Sequence, residues 1–166
     1  MPTIAPSPLP PDTLLAHYRS TGAYTDCYAT DIPSVVTHAE FVEAFYTTTV
    51  FAVERVLLKW FAGRPSTHAD ARALAVGASD AFAAWRVEAR AADQLLLADL
   101  TGRTRSWLMV APLAAGGTRL YFGSAVVPAK GGQSMGLVFH LLLGFHKLYS
   151  RILLSAAKRA LAQRIH

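Results

Sequence analysis

The spacing of apolar residues divides the chain into a front part with helical periodicity and a back part that alternates every two residues. Thr37 and Glu40 form a capping box, which predicts the start of a helix with Phe41 and Phe45 on its apolar side. Residues 47–49 are three β-branched threonines, which are poor helix formers. We therefore expect this helix to break there.

Further helices are expected on both sides of this break. The apolar spacing predicts a helix over residues 50–62, and Ser66 is a candidate cap for a short helix over residues 67–75. Nearer the N-terminus, we expect a short helix at residues 13–19 and a first strand at residues 23–31.

From Phe82 onward, the two-residue alternation predicts an antiparallel meander. The predicted strands cover residues 85–90, 95–99, 105–111 and 119–127. A two-residue hairpin loop at Gly102 and Arg103 would place Ala98 opposite Trp107. With the first strand, this makes about five strands.

The chain ends in a long predicted helix that follows a cap at Ser134. Its polar positions fall on one narrow stripe: His140, Lys147, Arg151, Ser155 and Lys158. Its apolar arc is unusually wide: Val138, Leu141, Leu142, Phe145, Leu148, Tyr149, Ile152, Leu153 and Ala156. An arc wider than one sheet face normally covers predicts a helix enclosed on two sides.

Length and composition fit one domain over residues 12–166, preceded by a flexible proline-rich arm at residues 1–11. About half of the 166 residues are apolar and only 16% are charged, which favours a large core, a lined cavity or a homodimer face. No apolar run reaches the roughly 20 residues of a membrane span. The single Cys27 and the absence of a recognisable leader make the cytoplasm the expected location.

Charge is distributed unevenly, because the chain beyond Asp99 has nine Lys and Arg residues but no Asp or Glu. These bases are spread out and do not cluster with exposed aromatic residues, so nucleic-acid binding is not expected. The histidines are also dispersed: His140 and His146 lie six residues apart and cannot share a metal as an i, i+4 pair can. We expect neither a metal nor a cofactor.

Three segments carry a family resemblance. QLLLADLTGRTRSWLMV, TRLYFGSAVVP and GLVFHLLLGFHKLYSR are similar to a bacterial domain family of unknown function within the START-like superfamily, across roughly residues 80–160. The superfamily includes polyketide cyclases, aromatic-ligand binders and lipid carriers. The resemblance implies an α+β helix-grip fold, in which a curved antiparallel sheet grips a long C-terminal helix in two layers, with a ligand cavity between them.

Candidate ligand-binding residues are the large apolar side chains of the back half and two arginines. They are Trp85, Arg86, Arg105, Trp107, Met109, Tyr121, Phe145 and Tyr149. Arg86, Glu88 and Arg90 alternate with Trp85, Val87 and Ala89, so they should form one row of charges. That row is either solvated or turned toward a cavity, where an arginine could bind a carboxylate or phosphate. Arg119 raises the same question.

The leading hypothesis is binding of a small apolar or amphipathic molecule between the sheet and the C-terminal helix. One alternative is a cyclase or hydratase-like enzyme in the same cavity, although no catalytic signature is present. The other is a membrane-surface or partner-binding protein that uses the proline arm and the basic stripe of the last helix.

Overall fold

The computed structural model describes residues 3–48, 66–127 and 137–164, and for residues 137–146 it describes the backbone alone. The helices are α1 Ala16–Ser20, α2 His38–Thr47, α3 His68–Ala75 and α4 Leu137–Arg164. The strands are β1 Ala5–Pro6, β2 Tyr24–Ile32, β3 Ala81–Phe82, β4 Trp85–Ala91, β5 Gln94–Asp99, β6 Thr104–Pro112 and β7 Thr118–Val126.

The strands form one open, curved antiparallel sheet in the order β1-β2-β7-β6-β5-β4-β3. Helices α2 and α4 pack on one face, which we call the inner face. The residues from Leu9 to Tyr18 pack on part of the opposite, outer face. The predicted two-layer α+β fold, with a long C-terminal helix against a curved antiparallel sheet, is confirmed.

Two short strands extend this sheet beyond the five that alternation predicts. In the proline-rich segment expected to be a flexible arm, β1 pairs with Tyr28 and Ala29 of β2. At the other edge, β3 pairs with the start of β4. Each has two residues, too few to show an alternation.

The register of the β5–β6 hairpin differs from the prediction by two residues. Ala98 pairs with Arg105, and Trp107 pairs with Leu96. The Asp99 carboxylate accepts hydrogen bonds from the backbone N–H groups of Arg103 and Thr104, at 2.8 and 3.1 Å. These bonds stabilise a longer turn than the predicted two-residue loop. A two-residue shift preserves the side-chain alternation, so Ala98 and Trp107 still lie on the same face of the sheet.

The expected row of three charges on β4 is interrupted by a β-bulge between Val87 and Ala89. Arg86 stays on the outer face, where Glu88 bonds Arg105. Beyond the bulge, Ala89 packs into the outer cluster, and Arg90 instead donates to the carbonyl oxygens of Leu74 and Ser79. An extra residue in one strand reverses the alternation that follows it, so the prediction of one row was wrong.

The ends of the front helices follow their caps. The capping box at Thr37 and Glu40 is present, and α2 ends at Thr47, as the threonine run predicts. α3 is capped by Thr67 rather than Ser66. A capping box pairs the cap with a residue three positions later, and Asp70 stands at that distance from Thr67. The helix predicted at residues 50–62 lies outside the described residues.

The C-terminal helix buries a narrower face than its sequence predicts. Leu153, Leu154, Ala157 and Leu161 are buried in the inner core. Leu148 and Ile152, which we expected to be buried, are 58% and 43% exposed. They lie one turn apart, on a side of α4 that the sheet does not cover. The predicted cap at Ser134 falls outside the described residues.

Candidate ligand-binding cavity

A cavity of about 180 Å³ lies between the inner face of the sheet and α4. Apolar and aromatic side chains form most of its wall, as is usual in small-molecule sites. They are Phe45 of α2, Trp85 of β4, Phe122 and Val126 of β7, and Tyr149 and Leu153 of α4. The cavity is therefore bounded by α2 and α4 on one side and by the inner face of the sheet on the other.

Polar residues form part of the same wall. Ser106 of β6 and Ser124 of β7 pair directly across the two neighbouring strands, and both line the cavity. Next in register after Ser124 comes Asp26 of β2. The three residues make a polar row across the inner face, which is otherwise apolar at these positions. Burying such groups costs free energy unless each is hydrogen-bonded.

The hydrogen bonds of this row tie it to α2 and β2. Ser106 Oγ is 3.0 Å from Tyr46 Oη, in a buried pair in which either oxygen can donate. Ser124 Oγ donates to Asp26 Oδ1 at 2.5 Å, and the Ser124 backbone N–H donates to the same oxygen at 3.2 Å. The polar row is thus fixed in place before any ligand binds.

The charge on Asp26 affects the tyrosines beside it on β2. Burial raises the pKa of Tyr24, and the Asp26 carboxylate raises it further. Burial also raises the pKa of Tyr28, with a smaller contribution from Asp26, while Arg151 of α4 opposes the change. Both phenols therefore stay protonated near neutral pH and can act only as neutral hydrogen-bonding groups.

Trp85 and Tyr149, both predicted as ligand-binding residues, line the cavity. The indole Nε1 of Trp85 is buried, and no hydrogen-bond acceptor lies within reach of it among the described residues. Arg105 also borders the cavity through its position on β6, but its guanidinium lies on the outer face. Phe145 is one of the residues of α4 for which the structure describes the backbone alone.

The other predicted site residues lie on the outer face, away from this cavity. Trp107 and Met109 belong to an outer cluster with Leu15 and Cys27, and Tyr121 packs against that cluster. Trp107 Nε1 donates to Gln94 Oε1 at 3.0 Å, which also accepts from the backbone N–H of Leu14. These residues anchor the N-terminal segment to the sheet.

Two of the arginines considered for anion binding, Arg105 and Arg119, form ion pairs with carboxylates of the protein. Arg105 Nε is 2.7 Å from Glu88 Oε2 and donates to Tyr18 Oη at 2.8 Å. Arg119 makes a two-pronged ion pair with Asp31 at 2.7 and 2.9 Å. Arg86 is exposed on the outer face. None of these three guanidinium groups points to the cavity.

Cys27 and the histidines show no arrangement for covalent or metal chemistry in the described part of the chain. Burial and the nearby Asp26 carboxylate raise the pKa of the Cys27 thiol to about 12. A thiol with so high a pKa is a poor nucleophile near neutral pH. Over residues 3–48, 66–127 and 137–164, no three His, Cys, Asp or Glu side chains are grouped as metal ligands would be.

Within the described ranges, no helix combines the length and the apolar character needed to cross a membrane. A scan against protein-family models finds no match, and neither does a search of curated proteins. The geometry of the cavity is therefore the basis for the functional assignment.

Serine residues of the polar row were not among the sequence candidates. Their positions in the alternation could have identified them, because each stands where a core-facing apolar residue is expected. Ser106 shares a strand face with Leu108, and Ser124 shares one with Phe122. A polar residue at a core-facing position of two successive strands indicates either a buried hydrogen-bond network or a binding site.

Proposed function

We propose that this protein is a START-like, helix-grip domain that binds a small apolar or amphipathic molecule in the cavity between the sheet and α4. The observation that carries the proposal is a cavity of about 180 Å³ whose wall is mainly aromatic and aliphatic. Interiors without a binding role are packed with few voids larger than a water molecule.

The volume of the cavity matches a ligand of about one ring. It is smaller than the roughly 300–1,000 Å³ of sites for drug-sized molecules. Engineered apolar cavities of about 150 Å³ bind benzene. A single six-membered ring with a small substituent therefore matches the available space, and a phospholipid or a multi-ring polyketide does not.

Binding is favoured over catalysis by the charge of the wall. Among the described lining residues, the guanidinium of Arg105 lies on the outer face and Tyr149 supplies a phenol group. A cyclase or hydratase needs an acid–base pair within reach of the reacting atoms. The described wall offers hydroxyl groups but no such pair.

Native mass spectrometry of the purified protein tests the proposal. A mass excess below about 200 Da that disappears on denaturation is expected for a retained ring-sized ligand. The same spectrum reports whether the chain forms the homodimer that its apolar content suggests. If the purified chain carries no ligand and binds no small aromatic compound on titration, the proposal is contradicted.

A second candidate, peripheral membrane binding, is favoured by the exposed side of α4. Leu148 and Ile152 are exposed there, and the exposed bases Lys147 and Arg151 are their neighbours in sequence. Interleaved apolar and basic residues on one helix side suit an anionic lipid surface.

Sedimentation with anionic liposomes tests this second candidate. Binding should decrease as salt is raised and should be weaker for Ile152→Glu than for the unmodified protein. The variant changes a side chain that is 43% exposed, so the fold should be retained. Absence of sedimentation at low salt contradicts membrane binding and leaves the cavity proposal unaffected.

A further inference from the structure

A second cleft follows the edge of the sheet at β2 and is larger than the cavity between the sheet and α4. Its volume is about 550 Å³, which falls within the roughly 300–1,000 Å³ of small-molecule sites. Residues 24–28 of β2 line it together with Pro8 and Leu9 of the N-terminal segment, Arg19 of α1 and Lys147 of α4. The cleft and the cavity share no lining residue, so this is a separate candidate site.

The cleft forms where the N-terminal segment leaves the edge of β2. Strand β1 covers Tyr28 and Ala29, and the backbone N–H of Ser7 donates to the carbonyl oxygen of Cys27 at 2.9 Å. The chain then continues to the outer face, where Leu9 packs against the outer cluster. The start of β2 is therefore not covered by β1, and the space beside it is the cleft.

Two cations from different helices line this space. Arg19 and Lys147 are both exposed, and neither has an ion pair or a hydrogen bond with another group in the described part of the chain. One carboxylate, that of Asp26, also lines the cleft, and it accepts hydrogen bonds from the hydroxyl and the backbone N–H of Ser124. Two cations against one carboxylate give the cleft a positive potential, which attracts an anion.

The position of Lys147 beside β2 follows from the basic stripe of α4. Lys158 Nζ donates to Thr30 Oγ1 at 3.0 Å. Arg151, two turns earlier in the helix, lies close enough to Tyr28 to oppose the rise in the pKa of that phenol. Lys147 is one further turn along the same side. The stripe therefore runs along β2 and reaches the cleft at its N-terminal end.

The remaining wall is apolar or neutral. Pro8 and Leu9 supply apolar surface on the side of the N-terminal segment. Burial raises the pKa of Tyr24 and of Tyr28, so both phenols are protonated near neutral pH and add no negative charge. An exposed ion pair alone contributes little to binding, whereas an apolar part of the ligand would gain from the surface that it covers.

We infer that this cleft is a second ligand site, which binds a small organic anion with its carboxylate or phosphate group between Arg19 and Lys147 and its apolar part against Pro8 and Leu9. A guanidinium binds two oxygens of such a group at once, and an ammonium adds a compact charge. Neither cation lines the cavity between the sheet and α4, so the inference is independent of ligand binding there.

Phenyl phosphate is a suitable probe, because it joins an oxyanion to one apolar ring. Isothermal titration calorimetry compares the unmodified chain with Arg19→Gln, Lys147→Gln and the control Arg159→Gln. All three side chains are exposed, so the fold should be retained, and Arg159 is on α4 but does not line the cleft. We expect each of the first two substitutions to weaken binding at least about threefold and the control to change it by less than about 1.5-fold. Inorganic phosphate should bind more weakly than phenyl phosphate.

Three results would overturn the inference. They are the absence of phenyl phosphate binding, equal weakening by all three substitutions, which would show an effect of net charge alone, and binding of inorganic phosphate as tight as that of phenyl phosphate. Benzene binding to the same variants is measured separately. If benzene binds and phenyl phosphate does not, the cavity proposal stands and this inference fails.

The same oxyanion occurs on soluble compounds and on lipid headgroups, and vesicles distinguish these two sources. Phosphatidic acid vesicles are added to the complex with phenyl phosphate, and phosphatidylcholine vesicles serve as the control. Release of phenyl phosphate by the first vesicles alone supports a lipid headgroup as the anion of this cleft. Retention of phenyl phosphate supports a soluble anion in the same place.

Discussion

Benzene should raise the thermal unfolding midpoint of the protein, because a ring-sized molecule can fill the space between the sheet and α4. Empty cavities destabilise proteins by about 24 cal/mol per Å³. For a cavity of about 180 Å³, this corresponds to roughly 4 kcal/mol that a well-fitting ligand can recover. A binding free energy of about 4 kcal/mol corresponds to a Kd near 1 mM.

The expected shift in the midpoint follows from this affinity. At ten times the Kd, a ligand that binds only the folded state stabilises it by about 1.4 kcal/mol. In a domain of this length, 1 kcal/mol moves the midpoint by about 2–4 °C. Differential scanning calorimetry with and without benzene should therefore show an increase of roughly 3–6 °C.

Two neighbouring substitutions on α4 provide the control. Leu153 lines the cavity, whereas Ile152 beside it is exposed. Leu153→Phe should fill part of the cavity and reduce the benzene shift, and Ile152→Phe should leave it unchanged. An unshifted midpoint in the unmodified chain, or an equal shift in Leu153→Phe, would refute the reasoning.

Three further predictions follow from packing and charge. Gly123→Ala should destabilise the fold by about 1–3 kcal/mol in urea unfolding, because the new Cβ would lie 2.9 Å from the backbone oxygen of Asp26 and 2.7 Å from Leu15 Cδ2; a neutral substitution would contradict this packing. The Cys27 thiol, with its pKa raised to about 12, should react with a disulfide reagent roughly 10²–10³-fold more slowly in the folded than in the unfolded chain near pH 8, and equal rates would show an accessible, ordinary thiol. The Arg119 guanidinium lowers the pKa of Asp31, so the ion pair stabilises the protein above the ordinary Asp pKa of about 3.9, and this contribution is lost as pH falls through the folded pKa. Because both side chains are more than a third exposed, Arg119→Gln should lower the free energy of unfolding by only about 0.5 kcal/mol at neutral pH. An equal loss at about pH 3 would contradict this dependence on pH.

Much of the sheet could be predicted from the two-residue alternation and from the turn residues between the strands. The alternation predicts strands β5 to β7, and the capping box at Thr37 and Glu40 predicts the start of α2. The β5–β6 register was missed by two residues because the Asp99 carboxylate stabilises a longer turn. Side-chain bonding of this kind is not visible in hydrophobic periodicity.

The candidate site was harder to predict than the fold, because both faces of the sheet are apolar. Trp85 and Trp107 both follow the alternation, yet one lines the inner cavity and the other packs under the N-terminal segment. Sequence pattern assigns residues to two faces but does not say which face the helix covers. The bulge after Val87 also exchanges the faces of the residues that follow it, and the sequence of β4 does not predict this bulge.

Ser106 and Ser124 show that the hydrogen-bond partners of a buried polar residue are also hard to predict from sequence. Each occupies a core-facing position where an apolar residue would be expected, and each is satisfied by a partner distant in sequence. Tyr46 and Asp26 could be recognised as those partners only once the sheet and α2 were in place. A buried polar residue is therefore a signal for a site, but its meaning depends on tertiary structure.

X-ray diffraction from crystals of the protein soaked in bromobenzene tests the central claim most directly. Bromine scatters anomalously, so the position of a bound ring can be located independently of the surrounding atoms. We expect one strong anomalous peak between β6, β7 and α4, within contact distance of Trp85, Phe122 and Leu153. A core closed by these side chains, with no bromine between the sheet and the helix, would contradict it.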